Sequence, residues 1–368
     1  NVNGMFSFIL YDKKANKIYL VRDRLGIKPL YYTKVGNNYL FSSEINAILK
    51  TNLINKKVNL NAISSYLSFR NPIGVGTFFE EIKEVQPGEI ISINEKIEKS
   101  KYWEIPIYNE KKDYGEKNFT ESTLNLFKNI VQDHMVSDVP IGSLLSGGLD
   151  SSLLTVLMNK KNLKTFSASF DSKDYDEISF AKIISNQIKS EHFNIVLDSQ
   201  KYLDKLEANI IKRSIPLSIP HEIALNELFN KIKDHSKVVM SGEGADELFG
   251  GYGRVQSSAF DFKKILFIKN YFPKFTQKYF FELFGQNSHL DWEKYNSQNE
   301  HFLDVYSWFS PINKKNILSD GFHSEIQNDH KIKKFWYFEF EKVKNLDEYD
   351  RILYIWFSVL ENENVCIS

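Results

Sequence analysis

The sequence predicts an α/β protein in two parts, a β-rich first third followed by a parallel sheet with helical crossovers. Three observations predict it. Residues 5–43 alternate short apolar runs with turn formers, the pattern of a β-meander. From residue 119 the apolar period lengthens to that of helices, and strand candidates recur with helical stretches between them, as βαβ units require. Between these parts, residues 106–117 carry Glu110, Lys111, Lys112, Asp113 and Gly115 with few apolar side chains, which marks a boundary. At 368 residues the chain also exceeds what one core usually organises, so two domains are the default and three are within range. The expected division is residues 1–105, a linker at 106–118, and residues 119–368.

Taken in order, residues 6–11 and 18–21 read as strands around the turn at 12–17, and Gly36, Asn37 and Asn38 precede a strand at 39–41. Residues 43–49 read as a short helix. A second helix starts near Asn59, whose side chain can cap it ahead of Ala62, Ile63, Tyr66 and Leu67. Gln86, Pro87 and Gly88 form a turn before a strand at 89–93. In the second part, helices are expected at 119–135, from about Ser151, and at 176–188, 199–213 and 221–234. Strands are expected at 141–145, 165–170, 192–197 and 237–240. Beyond Tyr252 the chain reads as mainly helical, with aromatic anchors and no repeat.

Composition narrows the function classes. Lys plus Arg and Asp plus Glu are 47 each, so no global field draws in nucleic acid or an anionic membrane, and small-molecule chemistry fits better. A single cysteine, Cys366, excludes an intramolecular disulfide framework and a cysteine zinc cluster, and suits a reducing compartment such as the cytoplasm. No run approaches the ~18 apolar residues of a membrane helix, and no signal-peptide pattern opens the chain. The eight histidines show no His-Glu-x-x-His spacing, so a zinc hydrolase has no support. The start at Asn1, without Met and directly before an apolar run, leads us to expect a fragment.

Two segments carry chemistry. Leu145, Ser146, Gly147, Gly148, Leu149, Asp150 and Ser151 lie where an apolar strand ends and a helix begins, the place where parallel sheets bind ligands and helix N–H groups meet anions. Glycines there let the backbone approach phosphate oxygens, Ser146 and Ser151 add hydroxyls, and Asp150 can hold a Mg²⁺ that bridges phosphates. The competing reading is a plain strand-to-helix turn with Ser151 as cap. The second segment is Ser241-Gly242-Glu243-Gly244-Ala245-Asp246-Glu247-Leu248-Phe249-Gly250-Gly251-Tyr252, again directly after an apolar strand. Glu243 is placed to contact a reacting acyl group or orient an amine, and Asp246 can join Asp150 on the metal. A solvated loop with helix-capping acids is its plainer reading.

The first loop lacks a Walker lysine and resembles the pyrophosphate loop of the ATP-pyrophosphatase superfamily. With Val139-Pro140 and the second segment, it is similar to the synthetase domain of glutamine-hydrolysing asparagine synthetases. Gly4-Met5-Phe6-Ser7-Phe8, residues 22–32 and Ser42-Ser43-Glu44 resemble the second half of that family's glutaminase domain. The resemblance implies a partial N-terminal-nucleophile sandwich followed by an adenine-nucleotide α-hydrolase-like domain. It implies ATP contacts at Leu145, the main chain near Ala168, Ser241 and Gly242, with pyrophosphate along Ser146, Gly147, Gly148, Asp150 and Ser151. It further implies magnesium at Asp150 and Asp246, and a part for Glu243 in forming or using the acyl-adenylate. Asp176, Glu177, Ala181 and His192 match more weakly, and Asp176 as a helix cap or His192 as a core histidine are equal alternatives.

In such enzymes an N-terminal cysteine attacks the glutamine amide. Asn1 is no nucleophile and Cys366 lies at the far end, so the expected fragment lacks both family termini, including the basic segment that follows a helix like the one starting at Asp350. Arg22, Asp23 and Arg24 have two readings, an ion-paired strand and turn or a part in guiding ammonia. The function implied is ATP-dependent amidation of aspartate, with glutamine or ammonia as nitrogen source, ATP and Mg²⁺ as cofactors and a possible homodimer. Alternatives are a sugar carboxylate as acceptor, since residues 215–220 lack acidic side chains, or a non-catalytic remnant. A tRNA-modifying relative would want a basic face and extra cysteines.

Overall fold

The computed structural model describes residues 2–108, 112–158, 160–170, 178–197, 199–219, 221–284, 295, 297–309, 311–327 and 329–362. The chain divides into two compact units, one of Asn1–Asn109, Arg213–Ser218 and Glu247–Ser368, the other of Glu110–Lys212 and Ile219–Asp246.

The first unit opens with β1 (Ser7–Asp12), β2 (Lys17–Arg22), β3 (Tyr31–Val35), β4 (Asn38–Ser42), α1 (Ile45–Lys50), α2 (Leu60–Phe69), β5 (Lys83–Glu84), β6 (Glu89–Ile93) and β7 (Ile97–Lys101). The residues read as a meander divide between two antiparallel sheets, β1-β2-β6-β7 and β4-β3-β5, as the sandwich implied by the resemblance requires. The physical reason lies in the side chains. Leu20 pairs across from Ile91 in the first sheet, and Leu20, Ile91 and Ile93 share one buried cluster with Leu30 and Tyr32. Stacking β3 on that sheet therefore buries two apolar faces where edge-to-edge pairing would bury neither. The next residue along, Tyr31, points the other way into Ile45, Ile48 and Leu49 of α1.

Asn59 caps α2 as expected, its side chain accepting from the amides of Asn61 and Ala62. The same side chain donates to the carbonyls of Val75 and Thr77, both at 2.9 Å. Arg22 and Asp23 take the structural one of their two readings. The buried Arg22 guanidinium donates to Glu84 Oε1 at 2.6 Å and to the carbonyls of Lys28, Val85 and Gly26. The Asp23 carboxylate accepts from the amides of Phe6, Leu25, Ile27 and Lys28. These groups hold a turn together.

The second unit contains α3 (Glu116–His134), β8 (Ile141–Leu144), α4 (Leu149–Met158), β9 (Lys164–Phe170), α5 (Ile178–Ile188), β10 (Glu191–Leu197), α6 (Ser199–Arg213), α7 (Glu222–Ile232) and β11 (Val238–Met240). Its strands form one parallel sheet in the order β10-β9-β8-β11. Helices cover it on two sides. Val131, Leu154, Met158 and Leu163 pack with Ile141 in one cluster, while Leu228 and Ile232 of α7 pack on Phe166 in another. Gly142 is needed for that packing, since a Cβ there would lie 2.6 Å from the Phe166 ring.

After α8 (Ala245–Phe249) come α9 (Gly253–Tyr271), α10 (Lys274–Phe284), α11 (Gln298–Tyr306), α12 (Pro311–Ile317), α13 (Asp320–Glu325), α14 (His330–Lys342) and α15 (Glu348–Asn362). Their core in the first unit is aromatic, with Phe69 of α2 packed among Phe302, Trp336 and Phe340. Among the described residues no helix is long and apolar enough to cross a membrane.

Candidate functional site

The strand order creates a switch point in the second unit. The chain starts at β8, moves outward through β9 and β10, then returns to β11 on the opposite side of β8. The carboxyl ends of neighbouring β8 and β11 therefore lie where such sheets usually bind ligands. Both glycine-rich segments leave these two ends.

The first loop has a fixed base. Leu145 is fully buried, its amide donates to the Phe166 carbonyl at 2.8 Å, and its carbonyl accepts from the Ser167 hydroxyl. Thr155 ties the helix underneath, sharing a hydrogen bond of 2.8 Å with Ser143 and donating to the Ser151 carbonyl at 2.6 Å. Above that base the loop turns outward. Gly147 has φ +98°, which favours glycine, and Ser146 and Asp150 are exposed. The hydroxyls of Ser146 and Ser151 share a hydrogen bond of 2.9 Å, and each also accepts a loop amide, Ser146 from Gly148 and Ser151 from Ser146, both at 3.2 Å.

The second loop lies against the first. A Cβ on Gly242 would come within 3.0 Å of the Ser151 nitrogen and 3.1 Å of the Asp150 carbonyl carbon, so the two backbones touch. Ser241 and Glu243 are exposed, and the Glu243 amide donates to the Ser241 hydroxyl at 3.2 Å. Gly244 has φ +94°, which turns the chain into α8, where Asp246 sits in the first turn. Ala168 lies near the carboxyl end of β9, opposite Ile195 of β10, with its side chain exposed.

Leu145 to Ser151, Ala168, Ser241 to Glu243 and Asp246 thus stand at the carboxyl end of one sheet, and His192 does not. That residue stands near the amino end of β10, where Nδ1 lies 3.0 Å from the Thr165 hydroxyl. Burial, assisted by the charge of Lys182, holds its pKa below the usual histidine range. It is half-buried and stands away from the two loops. Ala181 is buried in α5, and Asp176, Glu177 and Cys366 lie outside the described residues. Sequence reasoning missed Gly142, Ser143, Thr155 and Ser167. Their signal was available as small polar residues interrupting strands and a helix that are otherwise apolar.

Among the described residues no group of three His, Cys, Asp or Glu side chains gathers around a metal position. Magnesium is commonly held by one or two carboxylates, with phosphate oxygens and water completing the shell, and the carboxylates these loops present are those of exposed Asp150 and Glu243 and half-buried Asp246.

The asparagine synthase family model matches residues 123–366, and that of a glutamine amidotransferase domain matches residues 1–103. The chain belongs to the asparagine synthase family. Against this asparagine synthase-family chain, the putative asparagine synthetase [glutamine-hydrolyzing] 2 of Methanocaldococcus jannaschii is 35% identical over 259 residues, 68% of this chain and 50% of that protein. Asparagine synthetase [glutamine-hydrolyzing] 1 of Bacillus subtilis is 32% identical over 258 residues, 68% of this chain and 40% of that protein. A protein named amidase chry2, from Gibberella zeae, is 29% identical over 275 residues, 68% of this chain and 40% of its own length. The chain spans half or less of the length of these relatives.

Proposed function

We propose that the protein carrying this chain is an ATP-dependent carbon–nitrogen ligase that amidates the side-chain carboxylate of aspartate, with glutamine or free ammonia as nitrogen source. The observation that supports this most is the backbone contact of Gly242 with Asp150 and Ser151 at the switch point, which joins an anion-binding loop to a loop bearing Glu243. In the reaction a carboxylate oxygen attacks the α-phosphorus of ATP and pyrophosphate departs. Ammonia then attacks the acyl carbon, AMP leaves, and a proton is lost from nitrogen.

Ser146, Gly147, Gly148 and Ser151 bind the departing pyrophosphate through amides and hydroxyls, Leu145 and the Ala168 main chain line the nucleotide, and Ser241 and Gly242 hold it from the other side. Asp150 and Asp246 are the residues to hold magnesium, which supplies positive charge against the phosphates. Glu243 orients the acceptor or takes the proton. In this reading residues 1–105 are the glutaminase part and 119–368 the synthetase part. A sugar carboxylate is the second acceptor reading, supported by residues 215–220, where Leu217 and Ser218 bond to Tyr66 and Asn71 and no carboxylate is present.

The test supplies the full-length enzyme with ammonium, ATP, magnesium and either aspartate or a uronic acid. Equal release of AMP and pyrophosphate with aspartate is the expected result. ADP and phosphate would refute adenylation, and turnover with the uronic acid alone would replace aspartate.

A further inference from the structure

Helices α9 and α10 form a hairpin in the first unit whose inner side is closed by Phe262, Ile265, Ile268 and Phe281. Its corner is fixed, because Gln277 Nε2 donates to the carbonyls of Lys269 at 3.2 Å and Phe272 at 2.8 Å. The outer side carries another set of large side chains. Phe267, Tyr271, Phe275 and Tyr279 are 55, 74, 87 and 64% exposed, and Leu283 is 61% exposed. In each helix these residues stand four apart, so they share one face and bracket the corner at Pro273. Single exposed apolar residues are ordinary, but a row of large ones on each of two helices that meet at a fixed corner marks an interaction surface.

Charge selects what the surface meets. Residues 253–284 carry five lysines and one arginine against one aspartate and one glutamate, although the whole chain is balanced at 47 of each sign. Lys274 and Lys278 stand beside Phe275 and Tyr279 on the exposed side of α10 and form no ion pair among the described residues. Lys263 and Lys264 flank Phe267 on α9, and their ion pairs with Glu348 and Asp261 are solvent-accessible on the lysine side. Protein–protein interfaces are depleted of lysine, whereas aromatic rings with lysines around them suit the headgroup layer of an anionic bilayer. We propose that the outer tip of the α9–α10 hairpin rests on an anionic membrane surface, with Phe275 and Tyr279 entering the headgroup region and Lys274 and Lys278 facing lipid phosphates.

The test is co-sedimentation of the 368-residue chain with vesicles of phosphatidylglycerol or of phosphatidylcholine. The chain should pellet with phosphatidylglycerol and be released by salt. Lys274→Gln and Lys278→Gln should each lower the partition about fivefold, and the Phe275→Ser, Tyr279→Ser pair by at least about tenfold. Because these side chains are exposed, circular dichroism and melting of the variants should match the parent. Failure to pellet with phosphatidylglycerol would overturn the proposal, as would a partition indifferent to the four substitutions. A dimer seen by analytical ultracentrifugation and abolished by the Phe275→Ser, Tyr279→Ser pair would also overturn it, since a second copy would then cover this face.

Discussion

Replacing Gly148 by alanine should separate folding from nucleotide binding. The backbone there is outside the left-handed region, and an added Cβ would meet only the Ser146 hydroxyl, at an ordinary 3.4 Å. Two local effects oppose each other. The Gly148 carbonyl accepts from the Ser152 amide at 3.1 Å and starts α4, and alanine is worse than glycine at such a cap by about 0.5–1 kcal/mol. Stiffening the unfolded chain returns about 0.4–1 kcal/mol. Stability should therefore change by less than about 1 kcal/mol, a few degrees in melting temperature. Binding should not escape so lightly. A methyl group on the loop holds a phosphate oxygen away from the amide, and losing one hydrogen bond to a charged group costs about 1.5–3 kcal/mol, roughly 10- to 150-fold in ATP affinity. Calorimetric titration of ATP with magnesium, alongside thermal melts, measures both. Unchanged ATP affinity would refute phosphate placement over Gly148, and a melting temperature lowered by more than about 10 °C would show that the fold needs the glycine.

Glu243→Gln should keep ATP binding and slow amide formation by ~10²–10⁴, read from pyrophosphate and amide production beside an ATP titration; equal losses in both would reduce Glu243 to shaping the pocket. In the first unit, buried Lys314 lies 2.5 Å from Asp329, which also accepts from the Ser64 hydroxyl, and burial lowers the Lys314 pKa while Asp329 raises it. Asp329→Asn strands that ammonium and should cost about 3–5 kcal/mol in urea denaturation, with Lys314→Met in the same chain restoring much of it; a cost under about 1 kcal/mol would dismiss the pair. His301 is fully buried beside Tyr295 and Phe262, and burial holds its pKa below the ordinary 6.5, with Asp261 and Asp304 opposing. Its contribution is therefore present above pH 6.5 and lost as pH falls through the lowered value. His301→Phe should flatten that acid loss, by up to about 1.4 kcal/mol per pH unit, in denaturation curves taken at a series of pH values, and an unaltered slope would count against it.

The legible parts of the fold were those written in local chemistry. Asn59 announced a helix by its capping side chain, and the strands around residues 141, 165, 192 and 238 announced themselves by apolar runs between helices. Spatial order was not legible. That β11 returns beside β8 depends on which helices cover which side, and Leu228 on Phe166 is a contact between residues far apart in sequence. The same limit split the meander, because Tyr31 and Tyr32 are adjacent in sequence yet serve different cores. For the site, glycine and acid patterning marked both loops, but the contact of Gly242 with Ser151 and the tethering of Leu145 by Ser167 are tertiary facts. The short strands β5 and β7 lacked an apolar signature, β7 being exposed along its whole length.

The glycine-rich loop after β8 spends its own donors on itself. The amides of Ser146 and Gly148 are occupied by the hydroxyls of Ser151 and Ser146, so an anion arriving there displaces partners already in place. At about 0.5–1.5 kcal/mol for each exchanged bond, the loop gives up part of its grip in return for standing ready in shape. Such a cradle favours release as much as capture. Under the proposed reaction, which sheds pyrophosphate once in every cycle, a seat that closes again as its occupant leaves would shorten the wait between turnovers.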